Sequence, residues 1–132
     1  MTYQTPEEGK TILYIEDNFH NRRLVRKVLI SRGYNVAEAA DGVEGLQKVR
    51  ELHPDVVLLD ISLPRMDGIE VVKRIREDET IREIPVIALT ASAMAGDRER
   101  FLAAGCDDYL SKPVRMVTLL EMVHRYAFRD ES

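Results

Sequence analysis

Four short apolar runs in this chain each end on a polar residue suited to phosphate chemistry. Thr11-Ile12-Leu13-Tyr14-Ile15 leads into Glu16-Asp17, and Val56-Val57-Leu58-Leu59 leads into Asp60. Val86-Ile87-Ala88-Leu89 leads into Thr90, and Tyr109-Leu110-Ser111 into Lys112-Pro113. Continuous apolar runs of this length suit strands of a parallel sheet buried on both faces. In such a sheet all C-terminal strand ends share one edge, where ligands bind. Three carboxylates, a hydroxyl and an ammonium are therefore expected to converge on one site, fit for a divalent cation and a phosphoryl group.

Between the runs lie helical patterns. Asn18 is a residue type favoured at helix N-caps, Leu24, Val25, Val28 and Leu29 follow at helical spacing, and Gly33 is a stop signal. Residues 35–39 read as a strand and Asp41-Gly42 as a turn. Val43, Leu46, Val49 and Leu52 predict a helix ending before Pro54, and Ile69, Val72 and Ile75 predict another after the loop 61–68. A fourth helix is expected over 95–104 with Phe101 and Leu102, stopping at Gly105, and a fifth is striped by Val117, Leu120 and Val123. Strand and helix alternate throughout, which predicts a three-layer α/β fold with helices on both faces. Residues 1–10 read as a polar leader, 11–127 as one domain and 128–132 as a tail.

With 132 residues the chain has the size of one domain with a real core. Its net charge of −4 does not suggest direct nucleic-acid binding. No apolar stretch is long enough to span a bilayer, and the start lacks the pattern of a signal peptide, so a cytoplasmic location is the expectation. Cys106 is the single cysteine, so an internal disulfide and a cysteine zinc cluster are excluded, and the thiol is expected to be buried. His20, His53 and His124 are scattered without metal spacing.

Side chains alternate along a strand, so adjacent Glu16 and Asp17 would point to opposite sides unless the backbone bends at the exit. Carboxylates a few Å apart repel by several kcal/mol per pair even at an effective dielectric of ~20. A cation among them removes that conflict. An all-oxygen donor set is what Mg²⁺ takes, while zinc and copper favour His and Cys. Lys112 offers a point charge for phosphate and Thr90 a hydroxyl donor. Asp60, at the end of its apolar run, is a candidate nucleophile forming an acyl phosphate.

With these residues in place, the chain resembles the receiver domains of two-component response regulators. The matching segments are Ile15-Glu16-Asp17-Asn18, Leu58 through Gly68, Leu89-Thr90-Ala91, and Ala104 through Pro113. The resemblance covers about residues 10–126 and implies a flavodoxin-like fold with strand order 2-1-3-4-5. It implies that Asp60 accepts a phosphoryl group from a phosphohistidine on a histidine kinase or a histidine phosphotransfer protein. Glu16, Asp17, Asp60 and the Ser62 backbone carbonyl would hold Mg²⁺, while Thr90 and Lys112 would bind phosphoryl oxygens. Glu16 stands where many members have Asp, and Glu is a frequent alternative there. Tyr109 would be the switch aromatic, the loop 91–96 the moving part, and the Lys112–Pro113 bond would be cis. Small residues at Ser62 and Ser92 would shield the phosphoryl group poorly from water. Arg22, Arg23, Arg26, Lys27 and Arg32 make the first helix basic, either as a solvated face or as a docking surface for the phosphodonor. Helix 4, strand 5 and helix 5 would form the output face, with Arg98, Tyr109 and Met116 as candidates.

Other readings have specific requirements. A receiver piece of a hybrid histidine kinase or larger regulator would carry the same motifs. A haloacid-dehalogenase-type phosphatase needs a second acid two residues after the nucleophile, where this chain has Ser62. A P-loop nucleotide binder needs a G-x-x-x-x-G-K-[ST] segment that the chain lacks. A flavoprotein shares the architecture, but architecture alone does not give function.

Overall fold

A computed structural model describes residues 9–63, 66–91 and 96–129. The expectations for the leader before Gly9, for Pro64 and Arg65, for Ser92 and most of its loop, and for the last three residues lie outside the described residues. The elements alternate as read: β1 (Thr11–Ile15), α1 (Phe19–Ser31), β2 (Asn35–Ala39), α2 (Gly42–Leu52), β3 (Val56–Asp60) and α3 (Gly68–Glu77). β4 (Val86–Thr90), α4 (Asp97–Ala104), β5 (Asp108–Ser111) and α5 (Met116–Ala127) complete the chain. All strand pairings are parallel, in the order β2-β1-β3-β4-β5.

Three helices start on a side chain that accepts an otherwise orphaned amide. Asn18 Oδ1 accepts from Asn21 N at 2.9 Å, Asp41 Oδ1 from Glu44 N at 2.8 Å, and Asp67 Oδ1 from Glu70 N at 3.0 Å. Asp41-Gly42 is thus the opening of α2 and not a free turn. The Asp-x-x-Glu spacing is the reason, since Glu44 also reaches back to accept from the Ala40 N–H at 2.8 Å. Gly33 and Gly105 lie past the ends of α1 and α4 with φ of 95° and 116°, as their stop signals predicted.

The sheet separates two cores. Leu13, Ile15, Val57, Leu59, Val86 and Ala88 face α2, α3 and α4, whereas Ile12, Tyr14, Val56, Leu58, Ile87 and Leu89 face α1 and α5. Each fully buried Leu, Ile or Phe stabilises the fold by roughly 1.5–3 kcal/mol relative to exposure. The helical stripes differ from the expected ones. In α2 the buried face is Gly42, Gly45, Leu46 and Val49, while Val43 and Leu52 are exposed. A repeat of three falls short of a full helical turn by about 60° each time, so it walks around the helix. In α5 the buried set is Leu119, Val123 and Ala127 at intervals of four, and Val117 is 69% exposed. Leu24 in α1 and Leu102 in α4 are also exposed, each next in sequence to a buried residue, Val25 and Phe101, and so about 100° away around the helix.

The turn after β3 is closed by Gly68, whose N–H donates to the Ile61 carbonyl at 3.0 Å. A Cβ on Gly68 would sit 2.7 Å from Ile61 Cα and 2.9 Å from the Asp60 carbonyl oxygen. Backbone atoms cannot yield there as a flexible side chain would. Gly68→Ala is expected to lower the unfolding free energy by about 2 kcal/mol, within the range for overpacking. A urea unfolding midpoint unchanged from wild type would contradict this packing.

Candidate phosphoacceptor site

The site begins where β1 leaves the sheet. The Glu16 N–H makes the last ladder bond, to the Ala39 carbonyl at 3.0 Å, and the chain then turns towards the Asn18 cap. Glu16 is 1% exposed, while Asp17 is at the surface. Despite alternation, the bend brings both to one side. Carboxylate oxygens of Glu16, Asp17 and Asp60 lie within 4.8 Å of one another.

Asp60 ends β3 and is 4% exposed. Its Oδ1 accepts from the Ser62 N–H at 3.1 Å. Lys112 Nζ stands 3.0 Å from Glu16 Oε2 and 3.3 Å from Asp60 Oδ2, so one ammonium serves two buried carboxylates. Burial and then the Glu16 charge push the Asp60 carboxyl from 3.8 up to about 6, against the pull of Ser62 and Lys112. For Lys112, burial opposes the charged form, but its hydrogen bond to Glu16 and the charges of Asp60 and Glu16 outweigh it. Its pKa is raised above the ordinary lysine value.

Thr90 is buried at the end of β4, next along from Leu89, the residue paired with Asp60. The Lys112 N–H donates to the Thr90 carbonyl at 2.7 Å, tying the two strand ends together. The Lys112–Pro113 bond is cis, as the resemblance implied. Tyr109, two positions before Ser111 and in register with Ala88, is half-buried, its ring 6.1 Å from that of Phe101 on α4.

Three residues around Glu16 escaped the sequence reading. Tyr14 Oη lies 3.5 Å from Glu16 Oε2, and Asn21 Nδ2 lies 3.4 Å from Oε1. Burial, then the charges of Glu16 and Asp60, raise the Tyr14 pKa, so its hydroxyl stays protonated. Arg22 donates to the Glu16 carbonyl at 2.7 Å. Sequence had placed Arg22 on a solvated or docking face, but its side chain is only 17% exposed. The positions three and four after the Asn18 cap held the signal, because one helical turn returns them to the strand exit.

Elsewhere the structure rearranges the candidates. Met116 is partly buried against the α1/α5 core and lines a cavity of about 450 Å³ with Tyr14, Asn21, Leu24 and Lys112. Arg98 is exposed on α4. Cys106 is buried, and desolvation pushes its thiol up to about 12, so it is unreactive. No helix of the described residues is long and apolar enough to cross a membrane.

The sequence profile of the response regulator receiver domain matches residues 12–124. The chain belongs to this receiver family. The polar-differentiation response regulator DivK of Brucella ovis is 43% identical over 117 residues, covering 89% of this chain and 95% of that one. Among solved structures, the receiver domain of a sensor histidine kinase from Pseudomonas aeruginosa PAO1 is 39% identical with a TM-score of 0.83. The match covers 90% of this chain and 98% of that one, which has a magnesium ion coordinated in its active-site cleft. The chemotaxis response regulator CheY4 of Vibrio cholerae is 32% identical with a TM-score of 0.83, covering 89% and 98% of the two chains. The protein is thus a phosphoacceptor receiver in two-component signalling, a switch family that interacts with histidine kinases and downstream effectors.

The raised Asp60 carboxyl has a signed consequence. Between 3.8 and about 6 the folded chain holds a proton that the unfolded chain has lost, so stability falls as pH rises through that window. Above the window the loss is complete. In metal-free buffer Asp60→Asn is expected to be more stable than wild type by on the order of 2 kcal/mol at neutral pH. The gap should close towards pH 4, as read by urea unfolding. A variant less stable than wild type at neutral pH would contradict the repulsion between Glu16 and Asp60.

Proposed function

We propose that Asp60 is the phosphoacceptor, receiving its phosphoryl group from a phosphohistidine on a histidine kinase or histidine phosphotransfer protein. The supporting observation is the convergence of Glu16, Asp17 and Asp60 within 4.8 Å, with Lys112 between the two buried acids. An Asp60 carboxylate oxygen attacks phosphorus, and the phosphorus–nitrogen bond to the donor imidazole breaks with its electron pair going to nitrogen. An acyl phosphate results. Lys112 pairs with one phosphoryl oxygen and the Thr90 hydroxyl donates to another, so positioning and charge stabilisation supply the catalysis. The chain catalyses only its own phosphotransfer and slow dephosphorylation.

The acid cluster fits a hard divalent cation, because all its donors are oxygen and the Glu16–Asp60 repulsion is the kind a cation relieves. Glu16, Asp17, Asp60 and the Ser62 backbone carbonyl would hold Mg²⁺. When bound, it offsets negative charge on the phosphoryl oxygens.

Thr90 moving to the phosphoryl group draws the β4 end inward, and Tyr109 follows into the space beside it. The change is read by a downstream protein on the α4–β5–α5 face. Carrying such an equilibrium from 1:99 to 99:1 takes about 5.5 kcal/mol of differential stabilisation. A cytoplasmic protein acting through protein contacts, without direct nucleic-acid or membrane binding, is part of this reading. Ser62 in place of a second acid disfavours the phosphatase alternative.

Incubation with Mg²⁺ and a small acyl phosphate is expected to add the mass of one phosphoryl group, labile to hydroxylamine. Chelation of the metal or Asp60→Asn should abolish the addition. An intact mass showing the group still added in Asp60→Asn, or fragmentation locating it on a serine or histidine, would refute the assignment.

A further inference from the structure

We infer that Arg22 is a positioning residue for the acid pair: by taking the Glu16 carbonyl, it holds the strand exit in the bend that puts Glu16 and Asp17 on one side. This rests on the proposed reading of the cluster as a divalent-cation site. At the end of a strand the main-chain groups lose their ladder partners and must find others. The Glu16 N–H still has the Ala39 carbonyl at 3.0 Å. Its carbonyl is taken by Arg22 Nη1 at 2.7 Å. Both polar groups of the Glu16 backbone are therefore anchored, one to the sheet and one to α1.

The guanidinium is itself fixed from several sides. Arg22 N donates to the Asn18 carbonyl at 3.1 Å, which seats the residue in the first turn of a capped helix. Its Nε lies 3.8 Å from Glu38 Oε1 on β2, and the guanidinium carbon lies 5.8 Å from the centre of the Phe19 ring. A side chain held this way cannot reach freely for a docking partner. Asn21 Nδ2 and the Asn18 N–H, both 3.4 Å from Glu16 Oε1, approach the carboxylate from the same turn. The first turn of α1 thus orients Glu16 at both its main chain and its side chain, with Arg22 the shortest contact.

Two roles of Arg22 predict opposite signs. As a mere positive charge near the acids, it would repel Mg²⁺, and neutralising it would tighten metal binding. As a positioning residue, its loss weakens binding even though a repelling charge is removed. The measurement is Mg²⁺ titration calorimetry on wild type, Arg22→Gln, Arg22→Lys and Glu38→Gln. Arg22→Gln is expected to raise the Mg²⁺ dissociation constant roughly 10-fold, the scale for groups that orient metal ligands. Arg22→Lys should fall between wild type and Arg22→Gln, and Glu38→Gln should weaken binding by less. In chelator, the Asp17 amide resonance, which shares a peptide bond with the Glu16 carbonyl, should shift in Arg22→Gln. The rate of phosphorylation by acyl phosphate should recover near the wild-type value at saturating Mg²⁺.

Unchanged or tighter Mg²⁺ binding in Arg22→Gln, with wild type binding normally, would overturn the positioning role alone. Failure of wild type to bind Mg²⁺ would instead overturn the cation site and this inference with it. If Arg22→Gln does not fold, the charge-conserving Arg22→Lys decides the question by the same titration.

Discussion

Two carboxylates, on Glu16 and Asp60, are withdrawn from water at the edge of a hydrophobic sheet and share one ammonium. Lys112 lies within hydrogen-bond or ion-pair reach of both, yet one positive charge does not balance two negative ones, and Asp17 adds a third. Burying unbalanced charge is expensive, and a group so placed shifts its pKa unless a counter-ion arrives. The elevated Asp60 carboxyl is the visible result. Such a cluster is held in a state that a proton or a metal ion relieves. That imbalance makes the site chemically responsive.

The rest of the fold keeps the imbalance from relaxing. Asp60 follows four buried apolar residues in β3, so its backbone cannot withdraw towards water without exposing them. Close approach at Gly68 fixes the turn just beyond it. Glu16 is held through its amide by β2, through its carbonyl by α1 and through its carboxylate by Lys112. A pre-shaped site of this kind spends little free energy on reorganisation when charge changes, which is how electrostatic stabilisation becomes effective.

The same strand ends offer a route from the site to the surface. Lys112 and Thr90 are joined by a main-chain bond, and Thr90 is in register with Ser111. Two residues earlier in β5, Tyr109 contacts Phe101 of α4. Thr90, Lys112, β5 and α4 are thus linked by a short run of direct contacts. The bottom of that edge is braced separately. Arg76 donates to the carbonyls of Gly105, Arg82 and Ile84 and pairs with Asp107, while Tyr126 binds Asp108.

Local features of the chain carried much of this. The apolar runs of β1, β3 and β4 have the length and continuity of buried strands, and in a parallel sheet the polar residues ending them share one edge. Asn18, Gly33 and Gly105 marked helix limits because capping and positive φ are demands of the backbone itself. Helix faces were less legible: a repeat of three in α2 and α5 pointed to Val43, Leu52 and Val117, whereas burial followed the intervals of three and four that keep to one side. The sense of the Glu16-Asp17 exit, the depth of Glu16 beside exposed Asp17, and the use of Arg22 inside the site came only with tertiary structure. Each depends on where α1 lies against β1 and β2, and no residue's own chemistry contains the position of a neighbouring element.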